Sequence, residues 1–112
     1  MNLPFSDARR IGNTLYVSGQ IGINESFIPP EQLEDEAHLL MQKLKAVVEK
    51  HGGTMDKVVM VTIFTPDVAN FEAFNAVYVT YFKDPLPARA FLGSGPLLFG
   101  ARFELTAIAD LS

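Results

Sequence analysis

Val58-Val59-Met60-Val61-Thr62-Ile63-Phe64 is the stretch that decides the fold. Strict alternation of apolar and polar residues would mark a strand with one solvated face. Here both parities are apolar, the pattern of a strand covered on both sides. Thr65-Pro66-Asp67 ends the run, because proline cannot donate to the ladder. Downstream, Phe71, Phe74, Val77, Tyr78 and Tyr81 recur at helical spacing, and Asp84-Pro85 ends that helix. Upstream, Leu33, Ala37, Leu40, Leu44, Val47 and Val48 draw a longer helix, opened by Pro29-Pro30 and running to about His51. Glu31, Glu34, Asp35 and Glu36 crowd its first turns, where the helix dipole favours negative charge, and Gly52-Gly53 stops it.

The two ends of the chain read as strands. Gly12-Asn13 is a turn pair between Ala8–Ile11 and Leu15–Ile21, which predicts a hairpin. Leu86–Leu92 is held extended by Pro85 and Pro87, and Gly93–Gly100 is a loop. Arg102–Ala109 alternates Phe103, Leu105, Ala107 and Ala109 against Glu104, Thr106 and Ile108. The order β-β-α-β-α-β-β over residues 1–112 predicts one α+β domain, a sheet with both helices on one face. No third helix is left to cover the other face of Val58–Phe64, and monomers avoid so large an apolar patch. The pattern therefore calls for another subunit.

Composition removes several classes of function. The chain has 112 residues, 48% of them hydrophobic, a net charge of −4 and no cysteine. Without cysteine there are no disulfides, thiolate metal sites or cysteine nucleophiles, which fits a cytoplasmic protein. No apolar run approaches the ~20 residues of a membrane span, and no basic stretch leads an apolar one as in a secretory signal. Arg9-Arg10 is the only basic pair, so the basic face of a nucleic-acid binder is missing.

Arg89 is the anomaly: a lone charge in the apolar run Pro87-Ala88-Arg89-Ala90-Phe91-Leu92. A buried guanidinium demands a carboxylate, supplied either by the protein, with Glu104 the candidate, or by a ligand. Glu104 itself reads as a solvated strand residue or, with Arg89 close by, as a general base. Ser18 in Val17-Ser18-Gly19-Gln20 is no nucleophile elbow, since Tyr16 stands where the first glycine belongs. It is left with strand-end hydrogen bonding or a ligand contact, and Gly19 would let the backbone approach a ligand. Asn75, a poor helix former inside the second helix, has either a specific hydrogen bond to make or a solvated position. His38 and His51 lie too far apart for a metal motif or a triad and read as surface residues; Gly93-Ser94-Gly95-Pro96 lacks the lysine of a P-loop.

Leu15–Ile21, Phe74-Asn75-Ala76-Val77-Tyr78, and Pro87-Ala88-Arg89 followed fifteen positions after the arginine by Glu104-Leu105-Thr106-Ala107-Ile108-Ala109 together resemble the RidA/YjgF family of imine deaminases. The resemblance covers almost the whole chain. It implies a chorismate-mutase-like fold and a homotrimer with an active site in each cleft between subunits. It also implies hydrolysis of 2-aminoacrylate and related 2-imino acids to 2-keto acids and ammonia, with no metal, cofactor or covalent intermediate. Arg89 would hold the substrate carboxylate and Glu104 would activate the water, while Ser18, Gly19, the backbone at Phe91 and Asn75 would line or support the pocket. Phe91 replaces a cysteine common in relatives, Phe5 replaces a usual tyrosine, and the loop with Leu97-Leu98-Phe99 departs from the prototype. Two rivals share the residues: a small-carboxylate-binding or regulatory module using the Arg89 cleft, and an interaction protein with the ribonuclease or chaperone-like roles suggested for some relatives.

Overall fold

The computed structural model describes residues 3–112. Strands β1 (Ala8–Ile11) and β2 (Thr14–Ile21) form the expected hairpin, with Gly12 at φ +59° in the tight loop. Helix α1 (Leu33–Lys50) begins three residues after Pro30, later than the proline signal suggested. The cause is tertiary, because the carbonyls of Pro30 and Glu31 accept from the Arg102 guanidinium, and the first helical bond runs from the Glu36 amide to the Gln32 carbonyl. At the other end Gly52 takes φ +88° and the Gly53 amide reaches back 2.9 Å to the Val48 carbonyl, closing the helix as a glycine C-cap does.

Strand β3 (Val58–Thr65), helix α2 (Phe71–Tyr78) and strand β4 (Ala88–Gly93) make a parallel crossover unit, and β5 (Glu104–Asp110) is inserted beside β3. The sheet order is β1-β2-β5-β3-β4, with β3 and β4 the parallel pair among antiparallel neighbours. Among the described residues this is a mixed sheet of five strands with two helices.

Side-chain parity gives the sheet two unlike faces. Leu15, Val17, Val61, Ile63, Phe103, Leu105, Ala107 and Ala109 are buried together with Leu40, Leu44 and Phe74 of the helices. The opposite parity carries Tyr16, Met60, Thr62, Phe64, Thr106, Ile108 and Leu92, and not one of these is fully buried. Tyr16 and Leu92 remain 48% and 45% exposed, so this face is bare within a single chain. Val58–Phe64 is thus covered on one side by its own helices and on the other side by nothing among the described residues.

One buried group went unanticipated. Glu36, read as an ordinary first-turn acid, is fully buried beneath the loop that leads into β5. Its carboxylate accepts from Arg102 Nε at 2.6 Å and from the backbone amides of Arg102 and Phe103 at 2.6 and 3.2 Å. These bonds compensate a charge that would otherwise be very costly to bury, and they fix the Leu97–Arg102 segment to the start of α1.

Candidate active site

Arg89 lies on the helix side of β4, in register with the buried Val61. Its guanidinium carbon sits 4.8 Å from the ring centre of Tyr78 and 5.6 Å from those of Phe71 and Phe91. Such aromatic faces stabilise a cation and leave its N–H fork available. The polar groups beside it are also unspent. Asn75 Oδ1 and the Tyr78 hydroxyl are buried without a hydrogen-bond partner among the described residues, and both residues line one small cavity of about 320 Å³ with Arg89. Burial pushes the Tyr78 phenol up to about 12, against a partial opposing pull from Arg89, so it stays protonated and a donor. Buried polar atoms normally find partners, so two unpartnered ones beside the half-buried Arg89 point to a ligand. Its acceptor oxygens would meet Arg89 and Tyr78, and its N–H would meet Asn75.

Glu104 stands on the other face. It pairs in register with Phe64 on β3 and Ile21 on β2, and β3 separates it from β4. Two strand spacings put Arg89 and Glu104 about 10 Å apart across the sheet, and three residues of register add about 10 Å along it. With the side chains leaving opposite faces, the ion pair between them entertained from sequence does not form, and neither residue takes part in the chain's two salt bridges, Lys50–Asp7 and Arg102–Glu36, among the described residues.

Around Glu104 a second cleft, about 610 Å³, is lined by Phe5, Ser18, Gly19, Phe27, Lys43 and Phe99 among others. The β2–β5 register shifts between Val17 and Gln20, a bulge that bends the strand at Ser18 and Gly19. A Cβ on Gly19 would collide with the Glu104 carboxylate, so any other residue there would push that side chain aside. The Ser18 hydroxyl donates to the Ser6 carbonyl at 2.5 Å, and the Ser18 amide to the Asp7 carbonyl at 2.9 Å. Ser18 therefore ties down the segment that carries Phe5. Lys43 donates to the Ile23 carbonyl at 2.7 Å, and its burial holds the amine below its usual range.

The sequence-predicted residues thus fall into two groups: Arg89, Asn75 and Phe91 in one cavity region, and Glu104, Gly19, Ser18 and Phe5 in the other. Phe91 contributes its ring to the Arg89 cradle. Tyr78, Lys43, Phe27 and Phe99 were missed. Tyr78 was hidden in the apolar stripe of α2, Lys43 sits on a helix face that reads as polar, and the two phenylalanines lie in loops without periodicity. No group of histidine, cysteine, aspartate and glutamate able to hold a metal ion occurs among the described residues, and no helix there is long and apolar enough to cross a membrane.

A five-stranded mixed sheet with two helices on one face and these two clefts places the chain in a known group. The family described as Endoribonuclease L-PSP matches residues 2–111, and the chain belongs to it. A 2-iminobutanoate/2-iminopropanoate deaminase of Dermatophagoides farinae is 41% identical over 109 residues, covering 94% of this chain and 84% of that protein. RidA from an Antarctic Psychrobacter superposes with a TM-score of 0.90 at 31% identity, covering 96% of this chain and 88% of that one. Escherichia coli TdcF with bound serine superposes with a TM-score of 0.92 at 26% identity, covering all of this chain and 91% of that one.

Proposed function

We propose that the protein hydrolyses 2-imino acids to 2-keto acids and ammonia, in clefts that join the Arg89 half of one copy to the Glu104 half of another within a homotrimer. The observation that carries this reading is the unpartnered set of Arg89, Tyr78 and Asn75 in one cavity. A 2-imino acid complements it, since its carboxylate suits the guanidinium fork and the phenol, and its N–H suits the Asn75 oxygen. The names of the relatives support the same class of reaction.

In this mechanism the imine carbon is already electrophilic, so the protein has only to position the substrate and move protons. Arg89 grips the carboxylate. Glu104 takes a proton from water as the oxygen attacks the imine carbon and the C=N bond becomes single. That proton passes to the nitrogen to give the amino alcohol; Glu104 then moves the hydroxyl proton to the nitrogen, the C–N bond breaks, and ammonia leaves as the carbonyl forms. Positioned acid–base help of this kind is commonly worth ~10²–10⁴ in rate. The lack of cysteine suits a reducing compartment such as the cytoplasm.

Within one chain the halves face opposite ways, so the reading requires a neighbour, and the bare sheet face supplies a surface for one. The test is to mix subunits of Arg89→Ala and Glu104→Gln, each inactive alone. Every hybrid trimer would contain one cleft with both residues, and equal mixing would restore about a quarter of the wild-type rate. No recovery after verified subunit exchange would refute the composite cleft.

A further inference from the structure

We infer that Phe27 and Phe99 form the wall that receives the substrate side chain, and that the enzyme prefers 2-imino acids bearing large apolar side chains. This rests on the imine-hydrolase reading and deepens it. The two residues come from separate loops, yet their rings meet with centroids 5.1 Å apart and planes tilted by 31°, at the edge of the Glu104 cleft. Both remain about half exposed, at 50% and 53%, so the fold alone gains little from them.

Both also sit in the left-handed region, Phe27 at φ +61° and Phe99 at φ +60°. A side chain there is disfavoured, and glycine would serve the backbone better. The loops are nonetheless built to hold them. Asn24 Oδ1 accepts from the amides of Ser26 and Ile28 at 2.8 and 3.0 Å around Phe27, and the Glu36–Arg102 pair anchors the segment that carries Phe99.

The remaining lining defines what the wall faces. Asp7 is paired with Lys50, Ser18 with the Ser6 carbonyl, Gln20 with the Ser18 carbonyl and Lys43 with the Ile23 carbonyl. Glu104 is left as the polar side chain turned to the reaction. The rest of the lining is apolar, including Phe5, Ile21, Ile23 and Leu98 beside the two rings.

The test uses Phe27→Gly and Phe99→Gly, singly and together. Glycine removes the ring and relieves the backbone, so both variants should fold, and native mass spectrometry checks their assembly. Turnover is compared for imines of phenylalanine, alanine and aspartate generated by an amino-acid oxidase, alongside calorimetric binding of phenylpyruvate and pyruvate. The wild type should favour the phenylalanine imine, and each variant should lower the phenylalanine-to-alanine ratio of kcat/KM by about tenfold or more. Equal losses on both imines, or no change in either, would overturn the proposal. A preference for the aspartate imine would do so as well, and would shift specificity to Lys43. If the wild type turns over no imine, the deaminase reading fails. The phenylpyruvate-to-pyruvate affinity ratio then decides the wall alone, and it is overturned if the variants leave that ratio unchanged.

Discussion

The Arg89 cavity and the Glu104 cleft are built in different ways. The first comes from one continuous β3–α2–β4 unit, with Asn75 and Tyr78 on the helix and Arg89 and Phe91 on the strand that follows. The second is gathered from the segment before β1, the β2 bulge, the Phe27 turn, α1 and the loop ahead of β5. In the proposed reading the first half is a local anion receptor with aromatic walls. The other is a larger, mainly apolar cleft gathered from loops around Glu104, which the start of β5 holds in register with β2 and β3. The difference separates binding from chemistry: damage to the first half should weaken substrate capture and alignment, and damage to the second should slow the step itself.

The sharpest way to break that division is a pair of conservative changes. Glu104→Gln keeps the shape but removes the base, and turnover should fall by ~10²–10⁴ while small carboxylates still bind. Arg89→Lys keeps the charge but loses the planar fork, and turnover should fall ~10²-fold with weakened carboxylate binding, nearly as far as Arg89→Ala. Steady-state kinetics and calorimetry on both variants decide the matter. Normal keto-acid binding by the lysine variant would end the receptor assignment.

Next in size is Glu36→Ala. It removes the carboxylate facing Arg102 Nε and strands two backbone amides, and chemical denaturation should show a loss of about 3 kcal/mol. Because Glu36 fixes the loop of the Glu104 cleft alone, carboxylate binding at Arg89 should outlast turnover as temperature rises. Parallel loss of both would mean that the halves are not separable.

The smallest effect concerns Tyr78. Burial favours its neutral phenol, so its contribution to stability is complete below about pH 10, where an unfolded tyrosine titrates, and is lost as pH rises through about 12. A spectrophotometric titration should show a phenolate phase near pH 12 that Tyr78→Phe removes. The same variant should weaken keto-acid binding by several-fold, the worth of one hydrogen bond. An unaltered titration would show that Tyr78 is not the shielded group.

The sequence made most of the architecture legible because periodicity survives in regular elements. The alternation of Phe103 to Ala109, the stripe of α1 and the doubly apolar β3 all occur where the patterns placed them. Arg89 and Glu104 were legible as misfits in apolar or alternating runs. Their placement on opposite faces was not, because it follows from β5 entering between β2 and β3, a long-range pairing that no local window encodes. Glu36 was misread for a related reason: its partner lies 66 residues away, and a first-turn acid has the same local signature whether solvated or buried. Phe27 and Phe99 gave no signal, since nothing local marks a phenylalanine at positive φ.

The order of the strands also leaves β1 and β4 as the outer edges of the sheet. An open edge offers unpaired amides and carbonyls to any passing extended chain. Here β1 is only four residues long and carries the exposed Arg9 and Arg10, while β4 is short, preceded by Pro85 and Pro87, and bears Arg89. Brief length, positive charge and neighbouring proline all discourage strand addition. A chain nearly half hydrophobic is thereby made less open to strand addition at either edge of its sheet.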